Sequence, residues 1–242
     1  MMVIRLYEGN SQLNDDTVMD VVIDIQNIRK SYLLGDMEVP ILHGINLLVK
    51  KGEFVAIMGP SGSGKSTLMN MIGCLDRPTD GNVMLMGKDT RSISDNDLAE
   101  LRGFEIGFVF QNFNLIPRLS AYENVLLPTY SNSKVNLDNE ERARDLLETV
   151  GLGDRLDHKP TELSGGQRQR VAIARSLIND PSLILADEPT GNLDTKTSTE
   201  VMDIFSSLHK GGCTIVMITH DPEMEKYADR VVHIRDGYIE NN

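Results

Sequence analysis

The chain has 242 residues, 40% hydrophobic and 25% charged, enough for one large α/β domain or two small ones. Its 36 acidic residues against 24 basic ones leave a formal charge of −12, which argues against a sequence-independent grip on nucleic acid and against adsorption to an anionic membrane. No apolar run approaches the ~20 residues of a bilayer-spanning helix, and two cysteines without paired spacing suggest neither a disulfide framework nor a zinc site.

Residues 1–20 are polar and unpatterned, without the basic start and apolar stretch of a secretory signal, and are read as a flexible extension on a chain that stays in the cytosol. Strand-rich sequence begins at Val21. The runs Val21–Ile25 and Gly44–Val49 predict antiparallel strands, followed by a turn at 50–53 and a buried strand at Phe54–Met58. An unbroken apolar helix start then covers Leu68–Ile72. Pro78–Gly81 is a turn leading to a strand over Asn82–Lys88, and Ile106–Phe110 is a short buried strand. From Leu119 to about Leu177 the pattern is helical, with one well-defined helix from Asp138 to Val150 ending at Gly151. Strands and helices alternate beyond it: a strand at Ser182–Ala186, a helix at Thr195–Lys210, a strand at Thr214–Thr219, a helix at Pro222–Tyr227 and a strand at Arg230–Ile234. That βαβ rhythm implies a parallel sheet, with the helical block inserted into one α/β domain.

Between the strand at Phe54–Met58 and the helix that follows lies Gly59-Pro60-Ser61-Gly62-Ser63-Gly64-Lys65-Ser66, which fits G-x-x-x-x-G-K-[ST], the phosphate-binding loop. Its glycines let backbone N–H groups converge on phosphate oxygens. Lys65 would neutralise the β/γ-phosphates, Ser66 would offer Mg²⁺ a hydroxyl, and Thr67 would donate near the α-phosphate. A strand ending in Asp187-Glu188 presents two carboxylates at a sheet's carboxyl edge, Asp187 suited to Mg²⁺ and Glu188 to polarising an attacking water. Gln111 can add a neutral oxygen to the ion or the water, and His220 a hydrogen bond to the γ-phosphate, although each alone is an ordinary strand-end residue. Tyr32 offers a ring for adenine, and strand packing explains it equally well. Arg168, Arg170 and Arg175 read as a solvated helix face, and Cys74 as a small buried hydrophobe.

A second glycine turn, Leu163-Ser164-Gly165-Gly166-Gln167, needs its own explanation, because one nucleotide does not require two such cradles. If it opens a helix, its N–H groups form another anion site, most economically for the ATP of a second copy of the chain.

Taken in order, Gly59–Ser66, Gln111, Leu163–Gln167, Asp187-Glu188, Gly191-Asn192-Leu193-Asp194 and His220 resemble the ATP-binding subunit of an ABC transporter, over about residues 21–237. The resemblance implies a RecA-like phosphate-loop core with a parallel sheet, an N-terminal antiparallel β subdomain and a helical subdomain over about 112–173. It implies ATP and Mg²⁺ as cofactors and a head-to-tail homodimer that forms with ATP. Carried over by residue, Tyr32 would stack on adenine, and Gln111 would couple Mg²⁺ to the helical subdomain. Ser164 and Gly166 would contact the opposite copy's γ-phosphate, Asp194 would link the two sites, and Glu188 with His220 would drive hydrolysis. The segments Gly73–Gly81, Phe110–Pro117 and Ala186–Asp194 are similar to the lipoprotein-release and macrolide-export group. A separate integral membrane subunit is then the partner, and the cytoplasmic side of the cell membrane the location. Two other classes share part of the pattern. A soluble ABC ATPase acting on nucleic acid or ribosomes would have the same motifs but usually two ATPase halves, and a phosphate-loop kinase leaves Leu163–Gln167 and His220 unexplained.

Overall fold

The computed structural model describes residues 21–131 and 137–240, so the 1–20 extension lies outside the described residues. They fall into two compact units, one of residues 21–102 and 214–240, the other of 103–131 and 137–213.

In the first unit, β1 (Val21–Leu34) pairs antiparallel with β2 (Met37–Lys50) and with β4 (Asp80–Leu85), and β5 (Lys88–Asp89) completes a four-stranded sheet ordered β2-β1-β4-β5. Both long strands extend well past the runs that announced them. Within the expected run of β2 the burial alternates: Ile45, Leu47 and Val49 are buried while Asn46 and Leu48 face outward, as a one-sided sheet requires.

The same unit holds β3 (Phe54–Met58), which lies parallel between β8 (Ile215–Thr219) and β9 (Arg230–Arg235), with β10 (Tyr238–Ile239) antiparallel on β9. Every residue of β3 and β8 is buried, as expected where both faces of a parallel strand are covered. The register sets Met58 beside Thr219 and His233, so the chain leaves β3 and β8 side by side at one carboxyl edge. Helix α1 (Lys65–Ile72) follows β3 and buries Leu68, Met69, Met71 and Ile72. The helix expected at Pro222–Tyr227 forms as a short 3-10 helix. Pro222 at its start, a cap from Asp221 to the Glu223 N–H and a single buried residue, Met224, give it too little to propagate.

In the second unit, β6 (Ile106–Phe110) and β7 (Leu183–Asp187) pair in parallel with Phe110 opposite Asp187. The helical block resolves into α3 (Ala121–Leu126), α4 (Leu137–Thr149) and α5 (Gly165–Leu177), with a loop from 150 to 159 beginning where the helix end at Gly151 was expected. Helix α5 lies hard against β6, because Gly107 has no Cβ to meet the Ser176 carbonyl. Helix α6 (Thr195–Lys210) follows β7. Helix α2 (Asp95–Glu105) was not foreseen: only Leu98 and Leu101 are buried in it, too few to set a period, though the Ser94 hydroxyl accepts from the Asp97 N–H at its start.

Candidate functional site

In the first unit the loop at 59–64 is formed by close approach. A side chain at Gly59 would collide with the Ile234 carbonyl, and one at Gly64 would meet Leu42 Cδ2 at 2.9 Å, so only glycine lets the loop settle on its neighbours. The Gly237 N–H donates to the Ser63 carbonyl at 2.9 Å and fixes the loop from the β9–β10 turn. Lys65 is 7% exposed, and its Nζ donates to the carbonyls of Gly59 (2.7 Å) and Pro60 (2.8 Å). Gly64 precedes α1 in the left-handed region and supplies no side-chain cap, so the start of α1 faces the loop without a capping side chain. Ser63 Oγ, also in the loop, is buried without a partner. A buried ammonium, an uncapped helix start and an orphaned hydroxyl in one turn fit a polyphosphate, with Ser61 and Gly62 exposed at the rim and Ser66 and Thr67 following Lys65.

Tyr32 stands with its ring 40% exposed, too open for a strand-packing role. Its hydroxyl donates to Asp76 Oδ2 at 3.0 Å, and Lys30 Nζ lies 4.8 Å from the ring centroid while bridging Asp76 at 2.7 Å. Burial and the Asp76 carboxylate raise the Tyr32 phenol above its ordinary value, a hydrogen bond with Thr67 pulling the other way. Tyr32 therefore reaches Thr67, the second residue past the loop lysine. Burial pushes the Asp76 carboxyl up, but hydrogen bonds from Lys30, the Arg77 N–H and Tyr32 outweigh it and hold the group below the usual range. His220, exposed, follows Thr219 at the end of β8, beside the strand that delivers the loop.

The second unit gathers the remaining candidates. The register of β6 on β7 sets Gln111 and Glu188 side by side just beyond the paired ends Phe110 and Asp187. Glu188 has φ 44°, a left-handed conformation that a glutamate adopts only when its surroundings impose it. Its carbonyl accepts from the Gly191 N–H at 3.0 Å. The Gln111 side chain lies against Gly191, where a Cβ would come within 2.6 Å of Nε2, and Asn192 Nδ2 donates to the Gln111 carbonyl at 3.1 Å. Asp194 caps α6, accepting from the Thr197 N–H (3.0 Å) and hydroxyl (2.6 Å), and these bonds lower its carboxyl pKa.

Leu163 is buried, and Ser164 caps α5: its hydroxyl accepts from the Gln167 N–H at 3.2 Å while Gln167 Oε1 accepts from the Ser164 N–H at 2.9 Å. The second glycine turn does open a helix. Gly166 is buried because α5 touches α6 there: a Cβ would fall on Thr197 Cγ2. A Cβ at Gly165 would meet Leu193 at ordinary contact distance, so that position does not demand glycine in the same way.

The arginines of α5 are not the solvated face their spacing suggested. Arg175 is half-buried and donates to the carbonyls of Asn114 (2.6 Å) and Phe113 (2.8 Å), its partial burial lowering its pKa. Arg168 covers the Phe113 ring at 5.0 Å. Phe113 and Asn114 both have positive φ, 60° and 49°, so Arg175 ties down a strained stretch just after Gln111. Gln169, another residue the motif reading passed over, is 0% exposed and donates to the Pro189 carbonyl at 2.8 Å. Its spacing carried no signal, since a glutamine inside a helix is ordinarily a solvent-facing residue.

The sequence profile of the ABC transporter family matches residues 42–191, more than half of the chain. An uncharacterized ABC transporter ATP-binding protein, YvrO of Bacillus subtilis, is 59% identical over 218 residues, covering 90% of this chain and 95% of that protein. The macrolide export ATP-binding/permease protein MacB of Syntrophobacter fumaroxidans is 56% identical over 222 residues, and there the match covers 90% of this chain but only 31% of the longer protein. Among solved structures, the dimeric bacterial ABC transporter cassette MJ0796 superposes with a TM-score of 0.84 at 45% identity, covering 90% of this chain and 97% of that one. The same cassette in a dimeric post-hydrolysis state with ADP and Pi gives 0.83 at 44% identity over the same shares. The chain belongs to the ABC transporter family as an ATP-binding domain of the α/β phosphate-loop fold, whose activity is the binding and hydrolysis of ATP with Mg²⁺.

Proposed function

We propose that two copies of this chain associate head to tail around two molecules of Mg-ATP and drive a separate integral membrane subunit of the lipoprotein-release or macrolide-export type. The observation that carries the reading is the pairing of strand ends. β3 and β8 deliver the phosphate loop and His220 at one carboxyl edge, and β6 and β7 deliver Gln111 and Glu188 at another. The dimeric cassette structures and the macrolide-export relatives support the assembly and the partner. Among the described residues no helix is long and apolar enough to cross a membrane; in this reading the chain sits at the cytoplasmic face through that partner. No finding favours a nucleic-acid partner.

Bound Mg-ATP supplies the phosphoryl group to be cleaved. Lys65, with Gly59–Gly64, Ser66 and Thr67, neutralises and orients the phosphates, and Tyr32 stacks on the adenine. Ser66, Asp187 and Gln111 would hold the metal, which would neutralise charge on the phosphates. Glu188 accepts a proton from the attacking water, while His220 donates a hydrogen bond toward the γ-phosphate. Leu163–Gln167 of the opposite copy closes the site, Asp194 links the two sites, and the helices between 112 and 173 take the push to the membrane subunit. Turnover of Glu188→Gln and Lys65→Ala tests this. Glu188→Gln should bind ATP, accumulate as a dimer and lose at least a hundred-fold in kcat, whereas Lys65→Ala should bind nucleotide poorly. Unchanged turnover in both would overturn the reading.

A further inference from the structure

We propose that Gln169 is a positioning residue that ties helix α5 to the backbone just after Glu188 and so holds the hydrolytic carboxylate in its working conformation. The inference rests on the reading of Glu188 as the group that activates water. Glu188 is in the left-handed region, and an L-residue stays there only if both flanking peptides are fixed. The peptide before it is held by the pairing of Asp187 with Phe110 at the end of β7. The carbonyl of the peptide after it accepts from the Gly191 N–H, and the next carbonyl along, that of buried Pro189, accepts from Gln169 Nε2 at 2.8 Å.

Two features argue that this contact, not packing, accounts for the amide. A carbonyl can only accept, so Nε2 must face Pro189, and that leaves Oε1 buried without a partner. An apolar side chain of the same length would fill the space without stranding an oxygen, so the amide is tolerated for the one bond it makes. The helix behind it is rigidly seated: Val171 to Ala174 are fully buried, and Gly107 lets α5 close on β6. Gln169 lies two residues beyond Gln167, so the turn at 163–167 and the backbone after Glu188 are both tied to this one rigid helix.

Gln169→Met keeps length and volume and removes the donor. In the full-length chain at saturating ATP, kcat should fall roughly ten- to hundred-fold, the penalty of a slightly misplaced catalytic group, with the Kd for a fluorescent ATP analogue unchanged. The unfolding midpoint should hold or rise, since the stranded oxygen goes too. Gln169→Glu should separate positioning from packing. Its carboxyl can donate to Pro189 only when protonated, so its kcat relative to wild type should climb as pH falls, while the Met variant's ratio stays flat. Should the Met variant fail to fold, that pH dependence decides alone. Wild-type kcat in Gln169→Met with Glu188→Gln inactive overturns this proposal only. Wild-type kcat in Glu188→Gln overturns the underlying reading and the proposal with it. A kcat loss that tracks a lowered midpoint, together with a pH-flat Glu variant, assigns Gln169 to packing and also overturns it.

Discussion

Replacing Gly166 with alanine tests whether the glycine turn at 163–167 is shaped by packing within one chain. The added Cβ falls on Thr197 Cγ2. Thr197 cannot simply turn away, because its hydroxyl and N–H are both held by Asp194, at 2.6 and 3.0 Å. Overfilling a tight contact costs ~1–3 kcal/mol. Against this, alanine improves on glycine within a helix by up to ~1 kcal/mol. The net expectation is a loss of ~1–2 kcal/mol, from these two effects, seen as a lower urea midpoint with an unchanged slope. Thr197→Ser removes the obstructing methyl and retains the hydroxyl on Asp194. Alone it should cost under ~1 kcal/mol, about one buried methyl, and combined with Gly166→Ala it should recover most of the stability. Thr197→Val keeps the methyl and should give no rescue. If Gly166→Ala is as stable as wild type, or if Thr197→Ser fails to rescue it, the close approach of α5 and α6 is not what demands glycine at 166.

Ser164→Arg should leave ATP binding at the chain's own phosphate loop near normal while abolishing turnover that depends on a dimer; normal turnover would refute completion of the site by a second copy. Arg175→Met removes both donors to the strained Phe113 and Asn114 carbonyls, so limited proteolysis around 112–116 should accelerate and stability should drop ~1–3 kcal/mol, the scale of charge-assisted hydrogen bonds. An unchanged cleavage pattern would show that the loop holds itself. Cys74 is buried, and burial pushes its thiol up from 9.0 to about 11. Below pH 9 both folded and unfolded forms keep the proton, and its contribution to stability is fully present. Between 9 and 11 the unfolded chain ionises first, so that contribution is lost as pH rises. Iodoacetamide at pH 8 should therefore spare Cys74 until the chain is unfolded, and rapid labelling of the native protein would contradict the burial.

Motifs that act through backbone geometry were legible because their residue types are nearly obligatory. A loop that lets N–H groups converge on phosphate has little alternative to the glycines at 59, 62 and 64, and Ser164 with Gln167 three residues on is a helix start readable from spacing alone. The buried parallel strands β3, β7 and β8 were legible for the same kind of reason, since covering both faces leaves one unbroken apolar run. Less visible were elements with a single covered face. Helix α2 shows two buried leucines, and the outer half of β1 reads as polar sequence around Tyr32.

What the sequence by itself determined was the family, the fold class and the identity of the candidate catalytic residues, because each depends on local chemistry at a fixed spacing. Only the tertiary structure decided why Gly166 must be glycine, that Arg175 anchors the segment after Gln111, and that Gln169 donates to the Pro189 carbonyl. Those facts join residues 20 to 62 positions apart. Spacing along a chain reports the conformation of a turn or a helix face, but burial of a polar side chain and the partner it finds are set by what another element brings to it.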